Sequence, residues 1–418
     1  MANSILTPLM ITRKALMVLH QQCNFIGNVN RQYDDRFANE GAKIGDSLNI
    51  RMPAKYTVRK TATLAAQDHV SRSTPLNVTS QYGVDVSFTT AELTMSMDDF
   101  SERHIVPAMS QLASEIESAC IQDAYKLVNN YTNATTDGKI TFKRFQQGGA
   151  NMTRNLAPLS NRSAILSPDS VVEFNDVVKG LFHSSAEITE QYKEGIMGKT
   201  GGFDIYENTL TPVHTTGTMA GSPILNGANA GTTATTNVWA STTGLLVSGA
   251  TATTTLKAGD IVTIGSVFDI HPETKISTGK LKTFVVQSDI TMTTAATTYT
   301  VTVKPALITG VGNAYQNASV GVSTDGLALS LVGAVSSAFN QDLQFHKDAF
   351  VFASAPLIDV SKLGAWGARD TMDGISMRLA KQYDITNDAV PTRIDVLFGF
   401  GGLYPELANR HMSEQDLY

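Results

Sequence analysis

Two stretches of alternating apolar residues, separated by a basic connection, place the strongest constraint on the fold of this chain. Apolar side chains fill most even positions over 48–58 and again over 76–88, whereas the odd positions are mostly polar. A period of two residues is typical of a strand with one buried face. The two stretches therefore predict a long hairpin, joined by residues 59–75. Because Pro53 lacks an N–H, the first strand is expected to lie at a sheet edge or to be locally unpaired.

This hairpin needs a surface to lie on. A two-stranded hairpin is marginally stable in water unless it packs against another element. Its support could be the body of its own domain or another copy of the chain, and the pattern alone leaves both open. In the second case the hairpin would be a device for assembly.

A long amphipathic helix is predicted directly after the hairpin. Apolar residues recur at spacings of three and four over 105–131, and Pro107 suits a first helical turn. We expect a regular helix over 106–131. Its opposite face carries acidic residues: Glu115, Glu117 and Asp123.

Shorter elements follow on both sides of a compositional break. Ser167, Pro168 and Asp169 form a good helix start, with a capping hydroxyl, a proline and an acid in the first turn. The other elements expected are a helix over 141–156 and strands over 163–166, 349–353, 375–385 and 394–398.

The compositional break is a tract without charge in the middle of the chain. The 49 residues from Asn208 to Leu256 contain no Asp, Glu, Lys or Arg. Such a tract could be a linker, a fibrous repeat or the loops of a β domain. Strand patterns at 260–265, 282–287 and 298–304 favour the last, so 218–318 is predicted to be a separate small all-β unit. The flanking parts of the chain then form one α+β body.

Composition excludes several classes of protein. A net charge of −6 and a pI near 5.8 argue against a dedicated nucleic-acid binder. Two cysteines exclude a disulfide scaffold and a multi-cysteine zinc site. No apolar run approaches the ~18 residues of a membrane span, and residues 5–17 make a poor signal peptide. We expect a protein that is soluble and acts where it is made.

No motif for catalysis or cofactor binding is complete. The Gly-Lys-Thr at 198–200 lacks the earlier glycine of a phosphate-binding loop. The eight histidines stand singly, without the spacing of metal ligands. We therefore expect no enzyme activity, no catalytic residue, no cofactor and no metal.

The order of these elements resembles the major capsid proteins of tailed double-stranded-DNA phages, which share the Hong Kong 97-like fold. The stretches that carry the resemblance are Ile50-Arg-Met-Pro53, Phe88-Thr-Thr-Ala-Glu-Leu93, Gly202-Phe-Asp-Ile-Tyr-Glu-Asn208, Phe345-His-Lys-Asp-Ala-Phe350 and Ala355-Pro356-Leu357. Leu256-Lys-Ala-Gly-Asp-Ile-Val-Thr-Ile264, with Val267-Phe268 and His271-Pro272, looks like the inserted β domain of coat proteins from short-tailed Salmonella-type phages.

The resemblance implies an α+β Hong Kong 97-like fold with an inserted small all-β domain. The parts it implies are an N-terminal arm over 1–42; an extended loop hairpin over 43–99; the spine helix, peripheral domain and start of the axial domain over 100–217; the inserted β domain over 218–318; and the axial domain with return strands over 319–418.

The same resemblance implies function and partners. Copies of one chain would form hexamers and pentamers of a closed icosahedral shell around the phage genome, without sequence-specific DNA binding and without a membrane. A separate scaffolding protein and a portal protein would take part, and assembly would occur in the host cytoplasm. The alternatives are an encapsulin-like compartment and a Thr-rich β adhesin or decoration protein.

Charge at the hairpin suggests a subunit interface. Five basic residues face one acidic residue over 51–72. This basic tip could dock on the acidic face of the predicted helix in a neighbouring copy; the alternative is a solvated turn. The residues of this hypothesis are Arg51, Lys55, Arg59, Lys60, Arg72, Glu115, Glu117 and Asp123.

Overall fold

A computed structural model of the chain gives the architecture. It describes residues 12–13, 15–17, 23–31, 47–64, 66–67, 70–89, 105–132, 140–178, 199–227, 237–294, 297–321, 323–363, 366–372, 375–386 and 389–414. Within these ranges, no helix is both long enough and apolar enough to span a membrane.

Local sequence signals account for the starts of two helices. The helices used below are α1 Asn24–Asn28, α2 Val106–Tyr125, α3 Phe142–Arg154 and α4 Pro168–Val178. The Thr141 hydroxyl accepts from the backbone N–H of Arg144 and caps α3, and the Ser167 hydroxyl accepts from Ser170 N–H and caps α4. These capping bonds satisfy N–H groups that have no partner inside the helix. The predictions of both helices are confirmed.

Helix α2 ends six residues before its predicted end. The N–H groups of Leu127 and Val128 bond to carbonyls three residues back, which tightens the last turn. The Asn130 side chain then donates to the carbonyls of Glu406 and Ala408 at 2.9 Å each. The apolar spacing continues beyond Tyr125 because the chain stays buried, although it is no longer helical.

The strands fall into three stretches of the chain. Those before the middle of the chain are β1 Ser47–Met52, β2 Arg72–Asn77, β3 Ser80–Thr89, β4 Tyr131–Thr132, β5 Arg162–Leu166, β6 Lys199–Thr200, β7 Phe203–Glu207 and β8 Val213–Thr215. Those of the middle are β9 Gly221–Leu225, β10 Thr243–Ala250, β11 Thr254–Leu256, β12 Ile261–Ile270, β13 Ser277–Val286, β14 Ile290–Met292, β15 Tyr299–Lys304, β16 Ala318–Val320 and β17 Leu329–Leu331. The last are β18 Ala338–His346, β19 Phe350–Ala355, β20 Trp366–Met372, β21 Ile375–Lys381, β22 Ala389–Gly402 and β23 Ala408–Glu414.

The chain divides into two compact units. The first consists of 1–50, 74–121 and 350–403, and the second of 51–73, 122–349 and 404–418. The predicted ranges do not follow this division, since 43–99, 100–217 and 319–418 are each shared between the units. Sequence patterns are read along the chain, whereas compactness depends on which distant strands pair.

The first unit is organised by the long strand β22. It pairs with β3 along one edge and with β21 and β19 along the other, and β20 extends the sheet beyond β21. The buried ring of Phe25 in α1 packs against Phe350 and Phe400, with ring centroids 5.8 Å away in both cases. This aromatic cluster joins the N-terminal part of the chain to strands more than 300 residues later.

The second unit contains a mixed sheet with helices packed against it. Its strand order is β4-β23-β18-β5-β7-β6, with β8 pairing beside β18. Phe145 of α3, Phe174 of α4 and Phe203 of β7 pack together in its core.

A second sheet of this unit is built only from residues 218–332, here called the middle segment. Its order is β16-β12-β13-β15-β10-β9, with β17 pairing beside β12. The buried apolar residues of this segment, from Met219 to Leu329, form one core. The predicted strands at 260–265, 282–287 and 298–304 are confirmed. The sheet continues beyond residue 318, because β16 and β17 complete it against β12.

The predicted long hairpin is wrong in two respects. Strand β1 ends at Met52, since Pro53 cannot donate a hydrogen bond and the chain from there to Leu64 is not paired as a strand. The stretch 76–88 is interrupted between β2, which pairs with β1, and β3, which pairs with β22.

Val78 explains this interruption. Its buried side chain forms a cluster with Ala355, and Ala353 and Leu397 pack against this cluster. The chain therefore passes from one sheet to the other at Val78. Alternation continues through the switch, so periodicity alone cannot reveal it.

Candidate subunit interface

The loop between β1 and β2, residues 53–71, carries three of the predicted interface residues, Lys55, Arg59 and Lys60, and all three are exposed. We call it the β1–β2 loop. Val58 and Leu64 in this loop are 87% and 81% exposed, and Tyr56 is also exposed. Exposed large apolar side chains are common singly, whereas here three of them lie within nine residues of one loop. The apolar alternation of 48–58 thus continues onto exposed side chains, Tyr56 and Val58.

Arg59 organises the tip of this loop. Its Nη1 donates to the carbonyls of Thr61, Ala62 and Thr63 over 2.9, 2.7 and 2.6 Å. Charge-assisted bonds of this kind are stronger than neutral ones. Arg59 therefore shapes its own loop, whereas the side chain of Lys60 is exposed.

Gln67 holds the two arms of the loop together. Its Oε1 accepts from the N–H of Thr57 over 2.9 Å, and its Nε2 donates to the carbonyl of the same residue over 2.5 Å. The amide thus imitates a pair of strand hydrogen bonds where the backbone is not paired. The tip between Thr57 and Gln67 is preorganised.

The base of the loop is held by the middle segment. The Tyr315 hydroxyl accepts from Lys55 N–H over 3.3 Å and donates to the carbonyl of Val70 over 3.0 Å. The Arg72 guanidinium lies 5.3 Å from the centroid of the Tyr315 ring and donates to the carbonyl of Pro53. Arg72 is buried, so the prediction that it forms part of an exposed docking surface is wrong.

Cationic groups crowd around this base. Burial, followed by the charges of Lys55 and Lys282, lowers the pKa of Lys275 to about 8. Lys282 itself pairs with Asp269 over 2.7 Å. The positive charge predicted for the hairpin is thus reinforced by lysines of the middle segment, which sequence patterns did not place nearby.

The acidic residues of α2 divide into exposed and buried ones. Glu115 and Asp123 are exposed, and Glu115 accepts from the Gln111 amide. Glu117 is only 1% exposed, and its Oε1 accepts from the N–H of Phe25 over 3.1 Å. The prediction that Glu117 docks a neighbouring copy is wrong, because Glu117 lies on the side of the helix that α1 covers.

The environment of Glu117 also affects Cys23. Burial, and then the charge of Glu117, raise the pKa of the Cys23 thiol. The Cys23 Sγ lies 4.0 Å from the carbonyl of Ala113, and both cysteines are buried and neither forms a disulfide. A thiol in this setting stays protonated and unreactive.

The part of the chain that the structure describes holds no group of three or more His, Cys, Asp or Glu side chains arranged for a metal.

Tyr315 is the clearest case of a residue at this loop that sequence patterns did not indicate. A single tyrosine in a polar turn has no pattern that would associate it with a loop more than 240 residues earlier.

Comparison with known proteins identifies a family. Residues 10–413 match the family model described as "P22 coat protein - gene protein 5". No curated protein matches the chain.

Solved structures of phage capsids resemble the chain at low sequence identity. A structure from Mycobacterium phage Che8 is 10% identical, with a TM-score of 0.46, over 93% of this chain and 90% of that one. The capsid of Ralstonia phage GP4 is 5% identical, with a TM-score of 0.47, over 94% and 88%. The CUS-3 coat protein I-domain is 20% identical over 28% of this chain and 98% of its own, with a TM-score of 0.21.

Proposed function

The chain belongs to the P22 coat protein family, so it is a major capsid protein that forms the shell of a phage particle, and we propose how its parts serve assembly. The observation that carries the function is the family match over residues 10–413. It favours a capsid over an encapsulin-like compartment or an adhesin. Such a protein acts through contacts between copies, and we propose no catalytic role.

We propose the Hong Kong 97-like arrangement for the subunit. The unit with α2 and the β22 sheet suits the peripheral domain, and the sheet around β18 and β23 suits the axial domain. The middle segment would be the inserted β domain, which is supported by its own sheet and its own core. Six or five copies would close into a ring by head-to-tail contacts.

We propose three partners for this shell protein. A separate scaffolding protein would direct assembly in the host cytoplasm, a portal would occupy one vertex, and double-stranded DNA would fill the shell without being read by sequence. The net charge of −6 supports an enclosing role over a tight polyanion-binding role.

Imaging tests the function directly. The protein would be produced alone and together with the scaffolding protein of its own phage, and examined by negative-stain electron microscopy. We expect closed shells of uniform diameter in at least one sample. Soluble subunits without shells in both samples would contradict the proposal.

We further propose that the β1–β2 loop reaches an adjacent subunit through Val58 and Leu64. Burying two such side chains stabilises a contact by about 1.5–3 kcal/mol each, and the preorganised tip loses little conformational entropy on docking. Val58→Ser with Leu64→Ser should abolish or slow shell formation and leave the subunit's melting temperature unchanged. Leu159→Ser is the matched control, because Leu159 is 75% exposed outside the loop.

The charge hypothesis is retained for Arg51, Lys55, Arg59 and Lys60 against Glu115 and Asp123. Lys60→Glu tests charge alone, whereas any change of Arg59 also disturbs the tip. Exposed pairs add about 0–1 kcal/mol each and steer more than they hold. Lys60→Glu should slow assembly at low salt and lose its effect at high salt, where screening shortens to a few Å. Equal rates for both proteins at all salt concentrations would mean that the tip is a solvated turn.

A further inference from the structure

Tyr315 lies in a turn of the middle segment that its own side chains make rigid. The N–H of Tyr315 donates to Asn313 Oδ1 over 2.9 Å, and the Asn313 amide donates to the carbonyl of Val238 over 3.1 Å. The N–H of Ala314 donates to Asn237 Oδ1 over 2.9 Å. A turn fixed at both ends in this way presents its central ring in one orientation.

A third asparagine, Asn317, also holds this turn in place. Asn317 Oδ1 accepts from the N–H of Ile308 over 3.1 Å, and its Nδ2 donates to the carbonyl of Ala306 over 2.6 Å. Ala306 and Ile308 form a buried apolar cluster with Tyr315. The turn is therefore held by hydrogen bonds within the middle segment itself.

The ring contacts both arms of the β1–β2 loop. Its hydroxyl accepts from Lys55 on the outgoing arm and donates to Val70 on the returning arm. The Val70 side chain packs against the apolar cluster of the turn. Tyr315 is only 5% exposed, so these bonds are sheltered from water. A hydrogen bond in such a sheltered position is stronger than one at the surface.

Two cationic side chains, Arg72 and Lys275, also bind at this contact. Arg72 lies over the face of the Tyr315 ring, a position that favours a guanidinium by its attraction to the aromatic π system. The Lys275 ammonium donates to the carbonyls of Ala314 and Gln316, at 2.9 Å each, on either side of the tyrosine. Tyr315 is thus the point at which the loop base, the turn and two cations meet.

We propose that Tyr315 is a positioning residue for assembly, through which the middle segment sets the direction of the β1–β2 loop. This rests on the proposed function, in which the loop contacts a neighbouring subunit. The tip is rigid in itself, but its direction depends on its base, where the Tyr315 phenol ties both arms of the loop to the middle segment. A loop free to swing would meet its neighbour at varied angles and close shells of irregular size.

Tyr315→Phe tests the proposal, because phenylalanine keeps the ring under Arg72 and removes both hydroxyl bonds. Tyr299→Phe is the matched control. The Tyr299 hydroxyl also bonds within the middle segment, to Thr293 and Thr294, and contacts no residue described for the loop. Hydrogen exchange of the subunit reports the loop, and electron microscopy of assembled particles reports the shell.

We expect Tyr315→Phe to speed amide exchange at Lys55 about fivefold, the factor that a lost hydrogen bond produces. The distribution of particle diameters should broaden. The melting temperature of the subunit should stay within a few degrees of that of the parent protein. Tyr299→Phe should change none of the three. Val70→Ser, which weakens the same contact from the loop side, should reproduce the effect of Tyr315→Phe on exchange and on diameter.

Two outcomes overturn the proposal. Unchanged exchange at Lys55 in Tyr315→Phe would mean that the phenol does not hold the loop. Faster exchange together with shells of normal size and yield, in both Tyr315→Phe and Val70→Ser, would mean that loop direction does not govern assembly. Failure of the parent protein to form shells would instead contradict the proposed function, and loop exchange would still report whether Tyr315 holds the base.

Discussion

Asp342 of β18 and His411 of β23 are directly opposite each other in the strand register, and each binds a hydroxyl group from another element. Asp342 Oδ2 accepts from the Ser170 hydroxyl over 2.5 Å, and His411 Nδ1 lies 2.5 Å from the Thr132 hydroxyl. Both side chains are buried. Burial raises the pKa of Asp342 to about 6 and lowers the pKa of His411 to about 3. The two neighbours therefore make stability depend on pH in opposite directions.

Asp342 should make the subunit less stable as pH rises from about 4 to about 6. In this window the folded state binds more protons than the unfolded state, so a rise in pH favours unfolding. In Asp342→Asn this part of the pH dependence should disappear from urea unfolding curves measured over pH 4–7. Asp85→Asn, at an exposed site, is the control. A slope that is the same in Asp342→Asn and in the parent would contradict the prediction.

His411 should make the subunit less stable as pH falls from about 6.5 towards 3. The unfolded state takes up a proton in this range, whereas the buried imidazole does not. His411→Asn should flatten the acid side of the stability profile, at some cost in stability because the imidazole also stacks on Phe145 with ring centroids 5.9 Å apart. The same urea curves test it, and acid sensitivity equal to that of the parent would count against it.

Gly83 should tolerate no side chain. It lies opposite Asp395, and a Cβ at this position would collide with Asp395 Oδ1 and with the carbonyl of Ile394. Asp395 is buried and pairs with Arg378 and Arg393, at 2.6 Å each. Displacing a buried carboxylate from its partners is costly.

We expect Gly83→Ala to lower the free energy of unfolding by about 1–3 kcal/mol. Gly27→Ala is the control, because nothing lies within 4 Å of a Cβ placed there. Thermal or urea unfolding of the subunit is the measurement. Equal stability of the two variants would show that the sheet relaxes around the new methyl group.

Glu117 and Glu115 should separate folding from assembly. Glu117→Ala should lower the free energy of unfolding by about 1–3 kcal/mol, since it leaves the buried N–H of Phe25 without that acceptor. Glu115→Ala should stay within about 0.5 kcal/mol of the parent, as expected for an exposed site. Urea unfolding and assembly yield would be measured on both. A Glu117→Ala subunit of normal stability that fails to assemble would restore the docking role to Glu117.

The middle segment is predicted to fold alone when its full sheet is included. Residues 218–332 contain the whole sheet and its core, whereas 218–318 lacks the pairing of Leu329 and Leu331 with β12. The longer fragment should melt cooperatively and show dispersed amide signals by NMR. Loss of one buried leucine alone costs about 2–5 kcal/mol, so the shorter fragment should be much less stable. A non-cooperative melt of the longer fragment would refute autonomy.

Local signals predicted much of this fold. The start of α4 could be predicted from Ser167 and Pro168, because capping involves only neighbouring residues. The buried face of α2 and the strands of the middle segment could be predicted from apolar spacing, which depends on one element at a time. The order of these elements was enough to suggest the family.

The interface needed more than the order of residues. Lys60 and Glu115 are exposed as their polarity predicts, but Glu117 and Arg72 are charged and buried because distant elements cover them. The excess of basic residues in the loop can be counted from the sequence. Lys275 and Lys282, which add to this positive charge, lie in the middle segment and come close only in the folded chain. Charge can be read from sequence, but its accessibility depends on tertiary packing.

By itself, the sequence determined the periodicities, the helix caps, the uncharged tract and the net charge, since each arises from residues within a few positions of one another. Only the tertiary structure decided that Val78 carries the chain from β1's partner strand into the β22 sheet, that Asp342 faces His411, and that Tyr315 bridges Lys55 and Val70. These contacts join residues tens to hundreds of positions apart. Their choice depends on how whole faces pack together, and that information is absent from any single stretch of the chain.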